Sequence, residues 1–275
     1  MRSSTQAVPI TWKSGLLLAV LTLAGLAMFA WPLVLPADPG SDQHALEAPY
    51  LFMAILPLLV LLVLVQLTDG GMDAKALALL GVLSAVNAAI RPLGAGTNGV
   101  ETVFFLLILA GRVLGPGFGF TLGCTSLFAS ALLTSGMGPW LPFQMLASAW
   151  VGMGAGLLPQ RAFGKPLRGG VELALLAIYG AIAGYLYGIL MNLWFWPYLV
   201  SGTVTDPGLA YIPGAPFVEN LGRFVWYTLI SSTAIWDTGR AITNIFLIVL
   251  LGTPVLTALR RASKRANFLP VVAYI

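Results

Sequence analysis

Long apolar runs, separated by short segments rich in Gly, Pro and charged residues, follow one another along the chain. A helix that crosses a bilayer needs about 20 mostly apolar residues, and most of these runs approach that length. We therefore predict an all-α, polytopic membrane helix bundle of about eight spans. The predicted spans are 14–35, 50–67, 74–91, 102–114, 118–133, 141–158, 171–195 and 237–259. A shorter apolar stretch, 221–232, is expected to form a separate interfacial helix before the last span.

The composition narrows the class of protein further. Hydrophobic residues make up 58% of the 275 residues and charged residues only 9%, whereas about 25% charged residues is usual in soluble domains. This composition excludes a soluble enzyme, a nucleic-acid-binding domain and a disordered chain. The single cysteine, Cys124, excludes an internal disulfide and an iron–sulfur cluster. With one histidine, His44, a His-based metal site is not expected.

A Gly-containing turn at 69–71 divides the chain into two predicted parts. Residues 1–71 are expected to form an N-terminal transmembrane hairpin, and residues 72–275 a six-helix core. The first apolar run could instead be a signal peptide, because Arg2 and Lys13 give it a basic start. That run is longer than the ~7–15 apolar residues of a signal peptide, which favours a retained span.

The positions of Lys and Arg predict the orientation, because these residues concentrate in short cytoplasmic loops. With the N-terminus inside and eight alternating spans, only Arg91, Arg223 and Arg240 of the 14 Lys and Arg residues face outside. We therefore predict a multi-pass protein of the cytoplasmic membrane with both termini in the cytoplasm.

Small residues recur along one face of the third predicted span. The helical period places them in one narrow stripe, and small residues let helices approach closely in lipid. The stripe could be a contact inside the bundle or a docking face for another protein. Its members are Ala74, Ala78, Gly81 and Ala85, with Ala89 beyond them.

Polar residues cluster at the predicted outer ends of the spans. Asp237, Arg240 and Asn244 share one helical face by their spacing. Asp237 could simply cap the helix and pair with Arg240, and Arg91 could snorkel to the interface. The alternative is a polar pocket open to the outside, because ionisable residues at the membrane edge are costly unless they are used. The candidate ligand-binding residues are Arg91, Glu101, Gln144, Asp237, Arg240 and Asn244.

Motifs for catalysis are missing from the sequence. Lipid-linked phosphotransferases use an Asp-Gly-x-x-Ala-Arg segment with two further aspartates, and only fragments of it occur, at 69–72 and 237–240. A Walker A sequence and a His-Glu-x-x-His motif are also missing. We therefore expect no catalytic residues, no metal site and no cofactor in this chain.

Four stretches in a fixed order give the core a resemblance to a known family. They are 73–78 continuing to 87–91, the Gly-Pro-Gly-Phe-Gly turn at 115–119, 142–146 continuing to 150–152, and 240–244 with 251–254. The core from Met72 onward resembles the substrate-binding S component of an energy-coupling factor (ECF) vitamin transporter, a type of ABC importer. The N-terminal hairpin is an addition to the usual six-span form.

The resemblance implies a function and partners. An S component binds a micronutrient outside the cell and delivers it through a transmembrane T component, while two cytoplasmic ATPases hydrolyse ATP. In the family the small-residue face of the core's first helix docks to the T component, and the ligand pocket faces outward. Both charges and the aromatics on the pocket side suit a sizeable, partly aromatic vitamin, with cobalamin as first candidate. Those aromatics are Trp140, Trp226, Tyr227 and Trp236.

Three rival functions stay open on the sequence. A stand-alone secondary permease should show an inverted repeat and interrupted midplane helices. A membrane enzyme without a recognisable motif should show acidic or His clusters within the spans. A structural or assembly subunit would bind no ligand at all.

Overall fold

The computed structural model describes residues 7, 10–34, 58, 65, 73–94, 97, 99–138, 140–162, 164–198, 207–212 and 214–266. This part of the chain contains eight α-helices and one small hairpin. The helices are α1 (Trp12–Val34), α2 (Ala74–Ile90), α3 (Val103–Leu114), α4 (Pro116–Leu133), α5 (Leu141–Leu157), α6 (Gly170–Phe195), α7 (Phe217–Thr228) and α8 (Thr238–Ala266). Two short antiparallel strands, β1 (Arg161–Ala162) and β2 (Lys165–Pro166), connect α5 to α6. The predicted span 50–67 lies, apart from two isolated positions, outside the described residues.

The predicted all-α membrane bundle is confirmed in its architecture. Within the described residues, five helices are long and apolar enough to cross a membrane. The number of eight spans stays a prediction. The five helices are Trp12–Ala30, Ala74–Gly94, Pro116–Leu133, Gly170–Phe195 and Phe217–Ala266.

The short helix α3 lies at the centre of the bundle. It contacts α2, α4, α5, α6 and α8, and all of its residues except Val113 are buried. Its 12 residues span about 18 Å, whereas the hydrocarbon core of a bilayer is about 30 Å thick. The helix α3 is therefore too short to cross alone, and beyond its N-terminus loops and the ends of other helices surround a cavity.

Three helices meet backbone to backbone at glycines. A Cβ atom added at Gly111 of α3 or at Gly119 of α4 would collide with the carbonyl oxygen of Gly152 in α5. Membrane helices associate through van der Waals packing rather than through the hydrophobic effect, so such close contacts contribute much of their stability. The glycines therefore fix α3, α4 and α5 as one tightly packed unit.

The expectation of a separate interfacial helix at 221–232 is wrong. The helix continues from α7 through a π-helical segment, Leu229–Asp237, into α8. No Gly or Pro occurs between residues 223 and 238 to end it. Hydroxyl groups in and directly after the segment bond back to the helix: Ser231 donates to the carbonyl of Tyr227 at 2.5 Å and Thr238 to that of Thr233 at 2.7 Å.

Helix α1 packs directly on the core. The indole N–H of Trp150 in α5 donates to the hydroxyl of Thr22 at 3.2 Å. The ring of Phe29, itself buried, contacts that of Phe143 edge to face, with centroids 4.9 Å apart. The division at residue 71 into hairpin and core stays a prediction.

Candidate ligand-binding site

A cavity of about 290 Å³ lies at one end of the bundle. Five parts of the chain meet there: the end of α2, the loop before α3, the end of α4, the start of α5 and the junction of the π-helical segment with α8. Distant stretches of sequence thus form a single concave site. Its polar and aromatic lining residues are Arg91, Glu101, Ser130, Thr134, Trp140, Trp236 and Arg240.

Arg91 enters the cavity from the 3₁₀ turn that follows α2. Its guanidinium donates to the hydroxyl of Ser130 at 3.3 Å and to the side-chain oxygen of Gln144 at 3.0 Å. Both partners are neutral, and no carboxylate of the described residues lies within ion-pair distance of Arg91. Gln144 is not in the cavity lining and reaches it through Arg91.

Glu101 lies in the loop that leads into α3 and is half-buried. The hydroxyl of Thr102 donates to the carbonyl of Ile90 at 2.7 Å, which holds this loop against the end of α2. Burial raises the pKa of Glu101, while the guanidiniums of Arg91 and Arg240 act to lower it. Even so, neither arginine forms an ion pair with Glu101, and no other basic side chain of the described residues does so.

Asp237 and Arg240 form a pair behind the cavity wall. The carboxylate of Asp237 is fully buried and accepts from Arg240 Nη1 at 2.6 Å and from the hydroxyl of Ser232 at 3.1 Å. Arg240 lines the cavity and lies over the ring of Tyr187 at 5.3 Å from its centroid. The structure therefore brings Arg240 to the cavity and places Asp237 outside the lining, as the partner of Arg240.

Asn244 lies deeper, in the contact between α8 and α6. It is fully buried, and its amide donates to the carbonyl of Gly180 at 3.2 Å. It shares a helical face with Arg240 but is not in the cavity lining. Its position is that of a residue joining two helices.

The sequence reading missed the contribution of α4. Ser130 holds Arg91, and one turn earlier Ser126 accepts from the amide of Asn87 at 3.0 Å. The signal was present in the spacing, because Asn87 and Arg91, like Ser126 and Ser130, are four residues apart and share a helical face. Gly99 has a φ of 78°, and its close contact with the backbone of Trp236 closes the loop over the cavity.

A family model now identifies the chain. The model described as "ECF transporter, substrate-specific component" matches residues 75–252, more than half of the sequence. The chain belongs to this family. Neither a curated protein nor a solved structure matches it significantly. The resemblance predicted from the sequence is thereby confirmed, and the matched region contains all six predicted ligand-binding residues.

Members of this family are transport components rather than enzymes, and they generally work with a T component and ATPases. In this S component the predicted docking stripe lies on the surface. Ala74, Ala78, Gly81 and Ala85 are all exposed, and a Cβ atom added at Gly81 would meet nothing within 4 Å. The opposite face of α2 packs against α4.

At the other end of the S component, three charged residues form a cluster that the sequence reading did not find. Glu172, at the start of α6, accepts from Arg112 Nε at 2.8 Å and from Arg260 Nη2 at 2.7 Å. Arg112 and Glu172 are buried, and Arg112 also donates to the carbonyls of Leu158 and Pro159. The cluster joins α3, α6 and α8.

Proposed function

We propose that this S component captures a vitamin or related micronutrient outside the cell and delivers it through a T component powered by two ATPases. One observation carries the proposal: in a chain of this family, two arginines, a glutamate and two tryptophans converge on one open cavity. Ligand sites of proteins combine a concave, largely apolar wall with a few placed polar groups.

The charges of the two ends support an outward-facing cavity. Among the described residues, Arg91 and Arg240 are the only basic ones in its lining. Most of the other Lys and Arg residues lie at the opposite end, where they would face the cytoplasm by the positive-inside rule. They include Lys75, Arg112, Arg161, Lys165, Arg168, Arg260, Arg261, Lys264 and Arg265.

The size of the cavity bears on the choice of vitamin. Its ~290 Å³ is at the lower end of the roughly 300–1,000 Å³ usual for small-molecule sites. Cobalamin is several times larger than a typical drug-sized ligand and would need a much wider site. We therefore favour a smaller, partly aromatic vitamin over cobalamin.

The exposed stripe on α2 supports the assignment of the docking face. Ala74, Ala78, Gly81 and Ala85 present no large side chain, so a partner helix could approach the backbone of α2 closely. A T component that docks on this face would leave the cavity, at the end of the same helix, accessible to the vitamin.

Binding measurements on the purified protein test the proposal. Small molecules retained during purification are identified by mass spectrometry, and the stripped protein is titrated with a panel of vitamins that includes cobalamin. We expect one vitamin to bind tightly, and Arg161→Gln, an exposed change at the opposite end, to bind it equally well. If no vitamin binds, the proposal is overturned. Uptake by this chain alone in vesicles, without ATPases, would instead favour the secondary permease.

A further inference from the structure

Two charged groups in the cavity, Arg91 and Glu101, form no ion pair with any of the described residues. The charge of Arg240 is balanced by Asp237 at 2.6 Å. The side-chain partners of Arg91 among the described residues, Ser130 and Gln144, are neutral, and Glu101 forms no ion pair with any described residue. Both face the same cavity.

Such an arrangement is costly for a structural role alone. Even partial removal of a charge from water is unfavourable unless an opposite charge or several hydrogen bonds compensate for it. Ionisable groups inside membrane proteins are accordingly retained where they bind or transfer something. A ligand that supplied the missing partners would remove this cost for Arg91 and Glu101 together.

We infer that the ligand carries a carboxylate that binds Arg91, N–H donors that bind Glu101, and a ring that packs against Trp140 or Trp236. The inference rests on the proposed function and specifies its substrate class. Guanidinium and carboxylate groups form strong charge-assisted hydrogen bonds, and an ionised carboxylate such as that of Glu101 only accepts hydrogen bonds. An acid without N–H groups would be repelled by Glu101, and a ligand without an acid would leave Arg91 unpaired.

The competing explanation is that Arg91 and Glu101 turn towards each other whenever the cavity is empty. In that case the two side chains would form an ion pair with each other, and neither would be needed to bind a ligand. Neutral variants of similar shape, Arg91→Gln and Glu101→Gln, distinguish the two explanations because they remove charge without opening a large void.

The first arm of the experiment ranks vitamins by chemistry on the full chain in detergent micelles. Biotin and folate carry a carboxylate and N–H donors. Lipoate and nicotinate carry a carboxylate without N–H donors at neutral pH, and riboflavin, thiamine and cobalamin carry no carboxylate. We expect the tightest binder to come from the first group.

The second arm pairs each variant with a modified vitamin. Losing one charge-assisted hydrogen bond should weaken binding of the best carboxylate vitamin by about tenfold to a hundredfold in Arg91→Gln. The carboxamide of that vitamin should bind wild type and Arg91→Gln about equally, because the interaction is already lost. Glu101→Gln should weaken both compounds to a similar extent. Arg161→Gln serves as the control.

The outcomes separate this inference from the proposed function. If the tightest binder lacks a carboxylate or N–H donors, the inference is overturned while vitamin capture stands. The same holds if both variants bind the best vitamin as well as wild type does, or if the double variant binds better than either single variant. If no compound of the panel binds, the proposed function fails and the inference falls with it.

Discussion

At the scale of single residues, the Asp237–Arg240 pair determines how the cavity wall is held. Asp237 is fully buried, and all of its partners lie within the same continuous helix: Ser232, Thr233 and Arg240. The π-helical segment brings the two hydroxyl groups to the side of the helix that carries the carboxylate. Asp237 therefore orients Arg240, and Arg240 in turn neutralises a charge that could not stay buried alone.

We expect Arg240→Ala to destabilise the protein strongly, because it leaves the buried carboxylate of Asp237 without a cation. Breaking one side of a buried ion pair costs about 3–5 kcal/mol. The double variant Asp237→Ala with Arg240→Ala should lose less than the sum of the two single variants, because they share one interaction. Chemical unfolding in detergent measures all three free energies of unfolding. Equal stability of Arg240→Ala and wild type would contradict the pairing.

The raised pKa of Glu101 predicts that the stability of the folded protein depends on pH. Burial raises its pKa above the usual value, and Arg91 and Arg240 oppose this shift only in part. A group with a raised pKa in the folded state contributes stability that is complete below its ordinary pKa and is lost as the pH rises through the raised value. The unfolding temperature of Glu101→Gln should lack this decline between acidic and neutral pH. If the unfolding temperatures of wild type and variant changed with pH in the same way, Glu101 would not titrate with a raised pKa.

Some of these residues could be predicted from the sequence and others could not. Arg91, Glu101 and Arg240 stand at the ends of apolar runs, so their approach to one another follows from the ends of the helices. Asn244 lies on the same helical face as Arg240 but about 6 Å further along the helix. Periodicity gives the direction of a side chain and not the depth at which a cavity ends, so Asn244 could not be excluded from the wall.

At the scale of helices, periodicity likewise does not show which helices contact one another. The period of the stripe on α2 shows that small residues share a face, but not whether that face points inward or outward. The continuity of α7 with α8 was also hidden, because Ser and Thr often mark helix ends. Here the hydroxyls of Ser231 and Thr238 bond to carbonyls of their own helix instead.

We expect Ala78→Trp and Ala85→Trp to abolish co-purification with the T component and vitamin uptake. Both positions are exposed on α2, so the bulky side chains would hold a partner helix away without disturbing the core. Vitamin binding by the isolated protein should persist. Ile182→Trp, a similarly exposed change on α6, should leave the complex intact. Normal assembly of both α2 variants would show that the partner docks elsewhere.

At the scale of the whole molecule, the contacts between helices differ at the two ends of the bundle. At one end the cluster of Arg112, Glu172 and Arg260 joins α3, α6 and α8 through two short ion pairs, of which the Arg112–Glu172 pair is buried. At the other end a cavity lies between the end of α2, the loop before α3, the end of α4, the start of α5 and the beginning of α8. The sequence indicated that charges were unevenly distributed between the ends, but it could not indicate which of them would be buried together.

We expect Glu172→Ala to destabilise the protein by about 3–5 kcal/mol, because the buried guanidinium of Arg112 would lose its only carboxylate partner among the described residues. The matched control is Glu219→Ala, which breaks an exposed pair with Arg223. Exposed pairs of this spacing contribute about 0.3–0.5 kcal/mol. Denaturant unfolding of both variants makes the comparison, and equal losses would contradict a structural role for the cluster.

The shortness of α3 has an electrical consequence. This helix is about 12 Å shorter than the hydrocarbon core of a bilayer; where the shortfall lies at its N-terminus, a ligand in the cavity beyond it sits within the membrane's electric field. Moving one charge across the entire field is worth about 2.3 kcal/mol per 100 mV. If the cavity faces outward as proposed, a carboxylate that enters it crosses part of that field against an interior-negative potential. The voltage across an energised membrane would then oppose capture of such a ligand, and the proposed coupling to ATPases would have to supply this energy.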